Sequence, residues 1–337
     1  MVYNDSVAKH RRVNSLKESS MKILMVGAGA LGGYFGGRLL EVGQDVTFLL
    51  RPGRIEQLKH TQGLHIKSPY GDMRFSTIKH LTTEELQTTY DLIIISCKAY
   101  SLQSCMDSFA PAVGENTMIL PVLNGMAHID TLCRRFGKQH VLGGLALISA
   151  TLDGEGQIIH LNKSHGITYG ELDGSISPRT LAVKQIFEKA NFISECSDNI
   201  MQAMWNKWVM ISTAVGTTCL FRGAICDAVN AGGSTYISTL FNECASVAQD
   251  NGFKLNEATY NNIHDSMINP ENTLMASMLK DIEKGLEIEF EAIIADLISR
   301  AKDPEQLPML KLVYTHLKSY LQRKEREKPS HTQNKVT

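Results

Sequence analysis

Apolar and polar positions change rhythm once along this chain, close to residue 197. Before that point short apolar runs alternate with breaks rich in glycine, proline and asparagine. After it, apolar residues return every three or four positions over long stretches, the period of helices. The first apolar run, residues 22–26, ends in Gly27-Ala-Gly-Ala-Leu-Gly32; a helical pattern then runs through Tyr34, Leu39 and Leu40 and stops near Gly43. A second strand, residues 45–50, closes on Arg51-Pro52-Gly53. Strand, glycine turn, helix and strand in that order form a βαβ unit. The nearly unbroken apolar character of both strands predicts a parallel sheet covered on both faces. Further strands are expected at 91–96, 117–123 and 141–149, with more β structure over 158–171. Ser177-Pro178 supplies an N-cap and a first-turn proline for a helix reaching about Ala190, and a strand at 192–196 completes this half.

From Ser197-Asp198 onward the pattern predicts helices at 201–221, 234–250, 274–284, 287–301 and 311–323. The expected fold is therefore α/β: a Rossmann-type, doubly wound sheet over 21–197, then an all-helical domain over 198–323. Residues 1–20 carry no apolar signal-peptide core and read as a disordered extension ahead of an alternative start at Met21. The polar stretch 324–337 reads as a disordered tail.

Composition narrows the function. The 34 basic and 35 acidic residues are interspersed, so no basic face is available for a nucleic acid. No apolar run approaches the roughly 18 residues of a membrane span. The seven cysteines are scattered without a C-x-x-C pair, mostly inside apolar segments such as LIIISCKAY. They read as free thiols of a reducing, cytoplasmic protein, and no metal site is expected.

G-x-G-x-x-G is a weak signal alone, but here it follows a strand and opens a helix, the context it needs. Gly27 permits the tight turn, Gly29 lets the backbone approach a pyrophosphate, and Gly32 allows close packing of helix on sheet. The amides of Ala30 and Leu31 open a helix whose positive end suits phosphate. A carboxylate usually ends the second strand when the cofactor is NAD; this strand ends in Arg51, which can pair with a 2′-phosphate. NADPH is the expected cofactor, against the plainer reading of Arg51 as a solvated loop residue. Lys98 and Asn124 each follow a buried strand, at the edge where an open α/β sheet places its ligand crevice. Lys207 lies in an otherwise apolar helix, AMWNKWVMISTAV, where desolvation would lower its pKa towards that of a useful general acid.

These residues resemble the ketopantoate reductases (2-dehydropantoate 2-reductases) over roughly residues 21–323. The resemblance rests on the glycine motif, Cys97-Lys98-Ala99, Leu123-Asn124-Gly125-Met126, Met204-Trp205-Asn206-Lys207, Ser277-Met-Leu-Lys-Asp281 and Glu289-Phe290-Glu291. It implies NADPH-dependent reduction of ketopantoate to pantoate. In that likeness Lys207 is the general acid and Asn124 lies by the nicotinamide and the reacting carbonyl. Lys98 and Arg51 hold the cofactor, and Ser277 and Glu289 bind substrate. Ungapped counting selects Glu289, while the string Glu287-Ile-Glu favours Glu287. A homodimer is an open option.

The chain departs from this family at one helix face. Four and eight residues after the lysine, where asparagines are usual, stand Ile211 and Val215, and Ile293-Ile294-Ala295 replaces a Leu-Asn-Gly. Residues at such spacing share a face. The expected substrate is a 2-keto acid, ketopantoate first. The alternatives are a more apolar carbonyl compound or an NADP(H)-binding protein without turnover. Ser212, Thr217 and Thr218 are candidates to replace the missing amides.

Overall fold

In the computed structural model, residues 21–327 are described. The expectations for 1–20 and for 328–337 lie outside them. The first half of the chain carries ten strands: β1 (Lys22–Val26), β2 (Asp45–Leu49), β3 (Leu64–Lys67), β4 (Met73–Phe75), β5 (His80–Leu81), β6 (Leu92–Ile95), β7 (Met118–Pro121), β8 (Leu142–Leu152), β9 (Ile158–Glu171) and β10 (Ile193–Cys196). Interspersed are α1 (Ala30–Glu41), α2 (Pro52–His60), α3 (Leu102–Phe109), α4 (Ala127–Phe136) and α5 (Pro178–Phe187).

The first sheet is wholly parallel, in the order β5-β2-β1-β6-β7. Strand order reverses between β1 and β6, which opens a crevice at their carboxyl ends. Every residue of β6 and β7 is buried, as the apolar runs required. A second, mixed sheet runs β10-β9-β3-β4, with β8 antiparallel on β9. The hairpin β8–β9 matches the expected β structure at 141–149 and 158–171. Pattern reading leaves out β3, β4 and β5, which are two to four residues long and become strands by pairing: β3 with β9, β4 with β3, and β5 with β2.

Helix α1 is clamped between the two sheets, and its glycines show how. A Cβ on Gly32 would fall 2.4 Å from the Gly27 carbonyl oxygen, and one on Gly36 2.6 Å from the Phe48 ring. On the opposite side, Gly33 would strike Ile158 at 2.3 Å and Gly37 would strike Ile66 at 2.5 Å. Each glycine costs a helix roughly 0.5–1 kcal/mol relative to alanine. Two faces of close sheet contact explain why four are kept.

From Ile200 on, the described residues are helical: α6 (Ile200–Phe221), α7 (Ile225–Asn230), α8 (Ser234–Asp250), α9 (Glu257–Met267), α10 (Ser277–Glu283), α11 (Asp296–Ser299) and α12 (Pro308–Arg326). Helix α6 is the axis of this half, burying Trp205, Trp208 and Val209 within the main core. No helix among the described residues is long and apolar enough to cross a membrane.

Two expectations are corrected. The continuous helix expected over 287–301 is a π-helical turn at Glu291–Ala295 followed by the short α11. Its Ile293 carbonyl accepts side-chain hydrogen bonds from α6. The tail expected to begin at Lys324 instead continues α12 to Arg326, where Arg323 and Glu327 form an i,i+4 pair at 3.0 Å.

Candidate active site

The carboxyl ends of the parallel strands collect the chemistry. Gly27 follows β1 with φ +92°, a conformation that favours glycine, and donates to the Leu49 carbonyl at 3.0 Å. Gly29 caps α1 without a side-chain partner for the first turn. A Cβ on either glycine would meet nothing within 4 Å. The loop is therefore an open cradle, with the N–H groups of Ala30, Leu31 and Gly32 at its floor, and it fits a dinucleotide pyrophosphate.

Arg51 caps α2 at the end of β2, exposed, and its guanidinium donates to the Ser104 hydroxyl at 3.2 Å. Arg54, one turn later, is a residue that sequence reasoning missed. It donates to the Ala28 carbonyl at 2.9 Å and the Gly156 carbonyl at 3.0 Å, and so braces the glycine loop against the β8–β9 hairpin. Burial holds its pKa below the ordinary arginine value.

Lys98, just past β6, reaches across to the helical half. Its ammonium lies 3.0 Å from Asp281 and 3.3 Å from Glu289, and Glu289 also accepts the Ala99 N–H at 3.1 Å. Burial alone would lower the Lys98 pKa, but the Glu289 and Asp281 carboxylates together outweigh it and hold the value above normal. Glu289 is 7% exposed, whereas Glu287 is exposed. Asp281 was quoted in a motif without a role; its position four residues after Ser277 on a helix is the signal that would have found it. Ser277 is exposed at the first position of α10.

Lys207 projects from α6 with partial exposure. Desolvation lowers its pKa to about 8, outweighing the opposing attraction of Glu289. Asn124 is half-buried three residues beyond β7. The next residue, Gly125 at φ +81°, packs so tightly on the π-helical turn that a Cβ would fall 2.2 Å from the Ala292 carbonyl oxygen. One turn further, His128 is 3% exposed with Nε2 unpartnered; burial and the nearby Lys207 and Arg300 push its pKa down to about 3. Sequence reasoning passed over it, since a histidine in the first turn of a helix carries no signal of its own.

On α6, Ile211 is partly buried and Val215 almost fully, both packed with the main core. The hydroxyls considered as replacements for amides are otherwise placed. Ser212 donates to the Ile293 carbonyl and Thr218 to the Ala214 carbonyl, while the Thr217 hydroxyl is buried without a partner. The face after Lys207 is apolar.

The arrangement therefore offers a phosphate cradle, a cation at the adjacent strand end and a lysine of lowered pKa across the crevice. Comparison with known proteins agrees with it. Residues 23–174 match the family Ketopantoate reductase PanE/ApbA, and residues 199–321 match its C-terminal counterpart. An uncharacterized oxidoreductase of Bacillus subtilis, YkpB, is 36% identical over 303 residues, covering 89% of this chain and 99% of that protein. The crystal structure of 2-dehydropantoate 2-reductase from Geobacter metallireducens superposes with a TM-score of 0.80 at 24% identity, over 89% of this chain and 99% of that one. D-mandelate dehydrogenase, solved with NADH and anilino(oxo)acetate, superposes at 0.79 with 20% identity, over 90% and 100%. The chain is an oxidoreductase of the ketopantoate reductase family.

Proposed function

We propose that this protein reduces the keto group of a 2-keto acid with NADPH, in a cleft between a cofactor domain at 21–197 and a catalytic domain at 198–323. The observation that carries the reading is Lys207 on α6, an ammonium whose pKa desolvation lowers to about 8 against the opposing attraction of Glu289. The cofactor supplies a hydride when bound. Gly27, Gly29 and Gly32, with the Ala30 and Leu31 amides, would hold its pyrophosphate, Arg51 its 2′-phosphate, and Lys98 its edge near the nicotinamide. Negative charge develops on the carbonyl oxygen during reduction, and a positioned donor there lowers the barrier. Lys207 provides the proton, Asn124 orients the carbonyl, and Ser277 and Glu289 hold the substrate's polar groups.

Arg51→Ala is expected to weaken NADPH binding by about 1–3 kcal/mol, the usual worth of hydrogen bonds to charged groups, and to leave NADH binding nearly unchanged. Fluorescence titration of both cofactors checks it. Equal affinity of the unaltered protein for the two would refute the assignment.

Ketopantoate is the family's substrate, but the apolar face at Ile211 and Val215 favours a keto acid with an apolar side chain. A hydroxyl desolvated without a partner costs roughly 1–3 kcal/mol. That anilino(oxo)acetate binds D-mandelate dehydrogenase, of the same fold, is in keeping with this. The test is a panel of 2-keto acids, ketopantoate included, assayed by NADPH oxidation and repeated in Ile211→Asn/Val215→Asn. The double variant is expected to move preference towards ketopantoate by about tenfold or more, roughly 1.4 kcal/mol. Strong preference for ketopantoate in the unaltered protein, with no gain in the variant, would return the chain to pantoate synthesis.

A further inference from the structure

The π-helical turn at Glu291–Ala295 sits where three parts of the site meet. Gly125, beside Asn124, abuts its Ala292 carbonyl. Its Ile293 N–H donates to the Glu289 carbonyl at 3.1 Å. Its Ile293 carbonyl accepts from Trp208 Nε1 at 2.9 Å and from Ser212 Oγ at 3.2 Å. Both donors are on α6, the helix that carries Lys207, and they are 1% and 0% exposed. Extra-residue turns of this kind recur at functional sites, where the disturbed helix bonding frees a carbonyl for other donors.

Hydrogen bonds and the covalent chain at Ile293 and Glu289 together make one connection. It runs from α6 through the two side-chain donors to the Ile293 carbonyl, back through the Ile293 amide to Glu289, and on from the Glu289 carboxylate to Ala99 and Lys98. The Trp208 ring also packs on Trp205 at 4.9 Å and lies under the Arg300 guanidinium at 5.6 Å, but the Ile293 carbonyl is the hydrogen-bond acceptor for both donors. Two buried donors on one carbonyl also make the turn rigid, because releasing it would strand both without water.

We infer that Trp208 and Ser212 are positioning residues: by holding the Ile293 carbonyl they fix the segment that carries Glu289 against α6, the helix that carries Lys207. This rests on the proposed role of Lys207 for its catalytic meaning, though not for its geometry. Glu289 raises the Lys207 pKa against a larger desolvation effect. His128 on α4 lies near both Lys207 and Arg300 and stays neutral above about pH 3. Loosening the turn should therefore lower the Lys207 pKa through Glu289 alone.

The experiment is pH-dependent competitive acetylation of the full-length protein, read by mass spectrometry on the Lys207 peptide, in Trp208→Phe/Ser212→Ala. Phenylalanine keeps the ring volume and removes the N–H. The expected result is a titration midpoint lower than that of the unaltered protein by about half a unit or more. Turnover of the best keto acid is expected to fall by about tenfold, with its alkaline limb shifted in step. Should the double variant fail to fold, Ser212→Ala alone is expected to shift the midpoint in the same direction, and Ser212→Thr to restore it. A lowered melting temperature with an unmoved midpoint would overturn the inference and leave both residues merely structural. If Lys207→Ala proved fully active while the midpoint still moved, the proposed function would fall and the positioning would stand.

Discussion

Lys207→Ala is expected to lower kcat on the best keto acid by about 10²–10⁴-fold, the usual range for a lost general acid. Reduction leaves charge on the former carbonyl oxygen, and Lys98, the ammonium at the facing strand end, is engaged by Asp281 and Glu289. NADPH affinity should barely change, since Lys207 belongs to α6 and the cradle to β1 and α1. The pH dependence follows from the direction of the shift. The working form is the protonated one, and its pKa is lowered to about 8, so turnover should be level below that pH and decline above it. Lys207→Arg keeps the charge but gives up no proton in this range, so it should lose both activity and the alkaline limb. Stopped-flow measurement of NADPH oxidation between pH 6 and about 9.5, bracketing this limb, checks all three. An alanine variant with unaltered turnover would make the lysine structural.

Gly125→Ala should be among the most damaging single-methyl changes available. The residue sits at φ +81°, and its new Cβ would fall 2.2 Å from a backbone carbonyl oxygen and 3.1 Å from the carbonyl carbon of Ala292. Left-handed backbone costs a side chain about 1–2 kcal/mol. Overpacking against a partner that cannot rotate away adds about 1–3 kcal/mol. A loss of roughly 2–5 kcal/mol in urea unfolding is expected from the two together. Because the contact joins the Asn124 turn to the turn carrying Glu289, kcat/KM should fall as well. A variant as stable and as active as the original would mean that the two segments are not held in this register.

Much of this molecule is local in origin. A parallel strand buried on both faces needs only four or five consecutive apolar residues, so β1, β2, β6 and β7 declare themselves. The glycine string, the N-cap at Ser177 and the long helical period of α6 and α8 are likewise written in neighbouring residues. Together they bring Arg51, Lys98 and Asn124 to one sheet edge, because the ends of parallel strands share an edge.

Distance along the chain hides the rest. Strands β3, β4 and β5 are too short to show a period; β3 pairs with β9, β4 with β3, and β5 with β2. Ungapped spacing selects Glu289 and the local string Glu287; in the fold Lys98, 191 positions earlier, pairs with Glu289. Sequence alone leaves Ser212 as a spare hydroxyl for substrate, but in the fold it donates to the carbonyl of Ile293, 81 positions away. The lowered pKa of Lys207 is of the same kind. An apolar helix makes it plausible, but its value comes from desolvation by packed neighbours and from one carboxylate on another element, and those are set only when the chain has folded.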